Sequence, residues 1–403
     1  MPYCLKCTVA SIRPKRLRIA YICDHDATCQ HLEWRIKWTL SGPQEQSMVS
    51  VQLEYSPEEL MSEDSYESPL YGGDVLCHGG YINDQYVSPR GKVRRPAIDA
   101  WRTRLTEEGQ PLIHVPDAYV PPHYPNYEQA KYLMKEGLVQ PVSRSLTTIS
   151  ILEGFGARIR DVALPDFDKE VVEELSGTAL AHLDKGLFEA HARDEAGHRD
   201  QGGHKQMWEA ARDVGLDKPD IPGDVLMRLM GGGTSNRKAE RIYPELSAQM
   251  EQTIISMANI LVVETFAEDV FAWAMELLGD EEVSADPKLA AHLVDCVRID
   301  EKPHVDYLTV ALSELRGRTL ISQDGKRTFE GSEVVDHIFS RLLRGSASNR
   351  PKEARERLQQ EIHEQIQDVR RAENVSKHFE SLDSGWTFPV EKDEQLEILT
   401  KAA

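Results

Sequence analysis

Hydrophobic and polar positions change their rhythm three times along the chain. Up to about residue 60, β-forming residues alternate or cluster, in Arg18-Ile19-Ala20-Tyr21-Ile22, in Leu32–Trp38 and in Val49-Ser50-Val51-Gln52-Leu53. Leu32–Trp38 alternates apolar and charged side chains, as a half-buried strand does. From 56 to 145, Pro, Gly, Asp and Ser recur, in Ser68-Pro69, Gly72-Gly73, Gly79-Gly80 and Pro121-Pro122-His123-Tyr124-Pro125. Such punctuation predicts loops. His123 and Tyr124 are read as part of a segment wrapped over the core rather than as an entrance. A short helix is expected over Tyr127–Glu136, before Gly137.

Beyond about residue 143 the apolar spacing becomes helical. Ile149, Ile151, Leu152 and Phe155 surround Glu153. A long helical stretch is expected from Asp168 toward Val214, carrying Leu180, Leu183, Leu187 and Phe188 at helical spacing. Pro219, Pro222, Gly231-Gly232-Gly233 and Pro244 mark a long connection. The triple glycine lacks the preceding strand and the following Gly-Lys-Ser/Thr of a phosphate loop. Residues 246–279 form a helix with a broad apolar face, and a turn at Gly279–Pro287 leads into another carrying Leu289, Leu293, Val297, Leu308 and Leu312. A hairpin or loop at Thr319–Phe329, a helix at Ser332–Leu343 and a charged helix from Pro351 to about Phe379 follow. The charges of that last helix read as a solvated face.

Composition narrows the class. Of 403 residues, 40% are hydrophobic and 28% charged, and the formal net charge is −20. That balance disfavours nucleic acid and anionic membrane surfaces as partners. No apolar run reaches the length of a membrane span. The basic N-terminus lacks a following apolar core, so no signal peptide is expected. Six cysteines in a chain this long do not make a disulfide scaffold, and a cytoplasmic location is the expectation. Cys4-x-x-Cys7, with Cys23, Cys29 and His31, could hold zinc. Their irregular spacing favours free thiols.

The chemistry lies in two pentapeptides, Asp194-Glu195-Ala196-Gly197-His198 and Asp300-Glu301-Lys302-Pro303-His304. Both read Asp-Glu-x-x-His. On a helix, i and i+3 share a face, so each pair can reach one metal ion. Each motif follows an upstream glutamate in an apolar segment, Glu153 and Glu264, at similar spacing. A lone carboxylate in such a segment is costly unless paired or metal-bound. Glu268 shares a face with Glu264, and Glu189 is the alternative to Glu153. Other polar residues of the 168–214 stretch, among them His182, His191 and His204, are read mostly as surface or packing groups. Pro303 removes a backbone donor and threatens a kink inside the second motif.

The duplicated pattern over about 140–315 resembles the ferritin-like di-iron carboxylate proteins, and its Asp-Glu pairs look like those of the di-iron monooxygenase hydroxylases. The resemblance implies a mainly α fold: a ferritin-like four-helix bundle over 141–316, a smaller β-containing segment over 1–140 and a helical extension over 317–403. It implies Glu153, Glu195, His198, Glu264, Glu301 and His304 as ligands of two iron ions, with manganese the other option. Asp194 and Asp300 would each hold a ligand histidine. Such ligands suit first-row transition metals better than calcium or magnesium. The implied activity is O2 activation and oxidation of a small organic substrate: hydroxylation, desaturation, N-oxygenation or oxidative C–C cleavage. Tyr307 or Glu268 would supply a proton. No flavin or nicotinamide fingerprint occurs, so an external electron donor is expected, and a homodimer is allowed. The alternatives are a ferritin- or rubrerythrin-like iron-binding or peroxide-scavenging protein, and a metal-free helical scaffold.

Overall fold

A computed structural model describes residues 52–221, 223 and 241–389. The chain divides near residue 50. Residues 1–51 of the segment expected to be β-rich, with Cys4, Cys7, Cys23 and Cys29, and most of the long connection lie outside the described residues; the remainder of that segment holds a short helix, Pro57–Leu60, and no strand.

The described chain is mainly helical. Two small antiparallel sheets complete it. The first comprises β1 (Ser68–Gly72), β2 (Val75–Ile82) and β3 (Gln85–Val87), in that spatial order, and the second pairs β4 (Thr319–Ile321) with β5 (Thr328–Glu330). The principal helices are α1 (Gly91–Glu107), α2 (Tyr127–Lys135), α3 (Gln140–Gly156), α4 (Phe188–Ala196), α5 (His204–Gly215), α6 (Ala248–Leu278), α7 (Pro287–Arg316), α8 (Gly331–Gln365) and α9 (Val369–Ser381). No helix among the described residues is long and apolar enough to cross a membrane.

Helices α6 and α7 form the spine. Ser247 caps α6 by accepting the Met250 N–H at 3.0 Å, and Asp286 caps α7 just before Pro287. Both are frequent helix starts, because each satisfies an orphan amide and proline needs none at the first position. Pro303 is accommodated inside α7. It leaves the Ile299 carbonyl without its helical partner, and Arg95 of α1 donates to that oxygen at 3.3 Å.

Two expectations are corrected. The 56–145 region is not merely loops: it holds the first sheet and the 17-residue helix α1, whose apolar face presents Ile98, Trp101 and Leu105. The long helix expected over 168–214 is broken into pieces. Gly177, Gly186 and Gly197 all take positive φ there, and Gly202-Gly203 completes the second break. In contrast, the helix expected over Ser332–Leu343 and the first half of the one expected over Pro351–Phe379 merge into the 35-residue α8, and the second half of the latter is the separate helix α9.

The apolar core is split. One cluster gathers Trp101, Met257, Leu261, Leu312 and Phe339 around one end of the spine. A second gathers Leu70, Leu146, Trp208, Phe271 and Leu293 around the other. On α6 the first ends at Phe266 and the second starts at Phe271, and on α7 the second ends at Val297 and the first resumes at Tyr307. Glu264 and Glu301 stand at or beside this seam. A third cluster joins α2, α8 and α9 through Leu133, Ile362 and Phe379.

Candidate metal centre

At the seam, buried carboxylates and imidazoles converge from α4, α5, α6 and α7. His191, Glu195, Glu264 and His304 bring ligand atoms within 4.8 Å of one another, and so do Glu195, His204, Glu301 and His304. All are buried. Glu195 and Glu301 lie in the middle. His304 turns Nδ1 toward both, at 3.3 Å from Glu195 Oε1 and 2.6 Å from Glu301 Oε2, and its Nε2 lies 3.0 Å from Asp194 Oδ2. His204 repeats the arrangement from the other side. Its Nδ1 is 2.6 Å from Glu301 Oε1 and 3.5 Å from Glu195 Oε1, with Nε2 3.8 Å from Asp300 Oδ2.

Each aspartate thus faces the histidine of the other half, and each is anchored from outside. Asp194 receives Arg90 and Arg94, both buried, the latter at 2.7 Å. Asp300 accepts the Tyr86 hydroxyl at 2.6 Å and lies 3.1 Å from His78 Nε2. The first sheet inserts both of these groups, and its β2 strand binds the loop between α4 and α5 through His78 N–H to Gly202 O at 2.9 Å.

Of the eight sequence-derived positions with ligand or ligand-holding roles, seven meet here. Glu153 reaches the cluster from α3, where its Oε1 accepts the Trp208 indole N–H at 3.0 Å. His198 does not join them. Helix α4 stops at Ala196, and Gly197 takes φ +81° and ψ 172°, a conformation open essentially to glycine. His198 then pairs backbone to backbone with Gln201 and stays half-exposed. The i, i+3 geometry never forms. His204, first residue of the next helix, is turned back into the cluster instead. His191 joins from one turn before Glu195, its Nε2 3.5 Å from Glu195 Oε1 and its Nδ1 3.2 Å from the Tyr307 hydroxyl. Glycines at 197, 202 and 203 are the sequence signal that the helix breaks, and the i, i+4 spacing of His191 and Glu195 is the pointer to the additional imidazole.

Glu268 is elsewhere. It forms a two-pronged ion pair with Arg298, at 2.7 Å, on the exposed side of α6. Glu189 is likewise occupied, by Arg193 at 2.7 Å and Arg160 at 3.5 Å.

The protonation pattern follows from burial and from the charges the cluster's members place on one another. Burial would push His204 and His304 down, but the Glu301 carboxylate outweighs it and holds both imidazoles well above their ordinary range. Burial, then the charges of Glu195 and Glu301, push Glu153 and Glu264 well up. Burial also pushes His191 down to about 3, keeping it neutral. Protons therefore carry the neutralising charge. Hydrogen bonding is nonetheless incomplete: both oxygens of Glu195, Glu301 Oε1, both ring nitrogens of His204 and His191 Nε2 are buried without a well-directed hydrogen bond, although they lie against one another as ion pairs, closest at 2.6 Å between His204 Nδ1 and Glu301 Oε1. Buried polar atoms are rarely left so, and here they are oxygen and nitrogen donors pointed at one another. That set fits divalent first-row cations, which would replace the protons and satisfy these atoms together.

Beside the cluster lies a cavity of about 300 Å³ between α3 and α6, reaching Glu153, Glu195 and Glu264. Gly156 makes room at its floor: a Cβ there would stand 2.9 Å from Glu195 Cδ.

Comparison of the chain with protein-family models, with curated proteins and with solved structures finds no match in any of the three.

Proposed function

We propose that the protein is a dinuclear-metal oxidoreductase, most simply di-iron, that uses O2 to oxidise a small organic substrate, built on a ferritin-like arrangement of α3, α4–α5, α6 and α7. One observation carries the reading: buried oxygen and nitrogen atoms of Glu195, Glu301, His191, His204 and His304 converge at a point where no lysine or arginine of the described residues pairs with them. Glu153, Glu195 and His204 would hold one ion, and Glu264, Glu301 and His304 the other, with His191 beside the second. Two such ions, when bound, supply the redox chemistry that side chains lack.

The chain's own residues do the rest. Asp194 orients His304 through Nε2 at 3.0 Å, and Asp300 stands 3.8 Å from His204 Nε2, so that both Nδ1 atoms face the centre. Such partners typically change metal affinity about 10–100-fold. Tyr307, fully buried, is kept protonated by that burial and by Glu264, and its hydroxyl oxygen lies 3.2 Å from His191 Nδ1. Ile260, Val263, Phe266 and Val270 give the adjoining cavity largely apolar walls. That cavity supports an enzyme over an iron store, which needs no organic pocket. Electrons come from a separate donor.

Elemental analysis after iron-replete expression tests the reading. Two iron ions per chain are expected, and manganese at the same stoichiometry would change only the metal. His204→Ala is expected to lower metal content, whereas His198→Ala leaves it unchanged. A chain purified without any transition metal, or one in which His198 rather than His204 governs loading, overturns the assignment.

A further inference from the structure

The cavity against the carboxylates adjoins a second one. This second cavity, of about 310 Å³, lies toward the surface between the Pro121–Pro125 segment and α8. The two share Ile149, Leu152, Phe266 and Val270 in their walls. The cleft therefore has an inner lobe, ending on Glu153, Glu195 and Glu264, and an outer lobe. Apart from those three carboxylates and Asn259, the inner lobe is walled by hydrocarbon and glycine. The outer lobe is also mostly apolar, but it adds the hydroxyls of Ser145 and Thr148 and Arg144 in its 3.1 Å ion pair with Glu361. His123 joins them as a neutral group, since burial pushes it down to about 3, and its ring lies 3.9 Å from that of Trp273. Leu152, on the shared wall, is 41% exposed although it is a large apolar side chain.

From this division we infer that the cleft binds an elongated molecule with an apolar chain, alkyl or aryl-alkyl, lying in the inner lobe against the metal-binding carboxylates, and a polar head in the outer lobe. Each lobe falls at the lower end of the range of small-molecule sites, about 300–1,000 Å³, so the two together take a chain rather than a compact metabolite. A small polar substrate would leave the inner walls wet and gain nothing from them. An apolar chain gains on the order of 0.8 kcal/mol for each methylene it buries, which is about fourfold in affinity. The inference rests on the metal-centre reading only in making the inner end the reacting end.

The test is calorimetric titration of the metal-loaded protein with straight-chain primary alcohols from butanol to dodecanol, with metal content measured on each sample. Affinity is expected to climb about fourfold per methylene and then level as the lobes fill. Ala267 lines the inner lobe alone and is half-buried. Ala267→Phe is expected to weaken dodecanol at least tenfold while changing butanol less than twofold, with metal content retained. Ala267→Leu gives a smaller loss in the same direction should the larger side chain impair folding. Affinity that does not depend on chain length, or dodecanol binding within twofold of the unmodified protein in both variants, overturns the inference. Chain-length-dependent binding in a protein that takes up no metal supports the cleft and removes the metal centre instead.

Discussion

At Glu314 the backbone and the surroundings pull in opposite directions. Its two carboxylate oxygens accept the Ala179 and Leu180 N–H groups, each at 3.0 Å, and so close the start of the turn at Leu180–His182. Those bonds favour the anion. Burial opposes them more strongly and pushes the group up to about 7. The unfolded chain releases this proton near the ordinary 4.5. Between the two values the folded state holds a proton that the unfolded state has lost, so stability falls as pH rises through this window and is full below it. The amount is on the order of 3 kcal/mol. Replacing Glu314 by Gln removes the titration and one of the acceptors. Denaturation at pH 4.5 to 7.5 should show the unmodified protein losing stability across the window and Glu314→Gln staying flatter. Parallel curves would mean that Glu314 is ionised throughout. Asp194 is the opposite case. Burial alone would raise it, but Arg90 and Arg94 hold it well below the usual carboxylate range, and it remains an anion able to orient His304.

At the scale of elements, α6 and α7 are legible in the sequence and the α4–α5 pair is not. The spine helices announce themselves by long apolar periodicity, a capping serine and an Asp-Pro start, so the pattern alone puts Glu264, Glu301 and His304 on two helices paired across a short turn. The first motif has the same letters, but its spacing is interrupted by the Gly197–Gly203 loop, and periodicity says nothing about where a chain re-enters after a break. Helix α1 is hard to see in the sequence because Gly91 and Pro96 dilute its signal, although Arg90, Arg94 and Arg95 all serve the site or the spine. The loop itself offers a sharp test. A Cβ on Gly197 would meet Gln201 O at 2.5 Å and Gly203 N at 2.7 Å, both backbone atoms. Gly197→Ala should therefore cost about 1–3 kcal/mol in chemical denaturation. It should also lower metal content, because His204 is delivered by this loop. A variant with unchanged stability and full metal would show that the loop has room to spare.

At the scale of the molecule, the helices that bring the ligands together also divide the hydrophobic interior. One apolar cluster lies on each side of a plate of carboxylates and imidazoles, and no side chain of the plate gives both clusters the continuous packing that makes a core open as a single unit. Bound metal would fasten the plate across four helices. Its removal by a chelator leaves buried carboxylates and imidazoles, held only by shared protons, through the middle of an otherwise apolar body. Amide hydrogens of α6 near Glu264 and of α7 near Glu301 should then exchange with solvent well before those near Met257 or Leu293, and regain protection on reloading. Equal protection along both helices in the stripped protein would show the two cores to be one. On the proposed reading the centre would be a clasp as well as a reagent: the step that equips the protein for chemistry would also be the step that closes it.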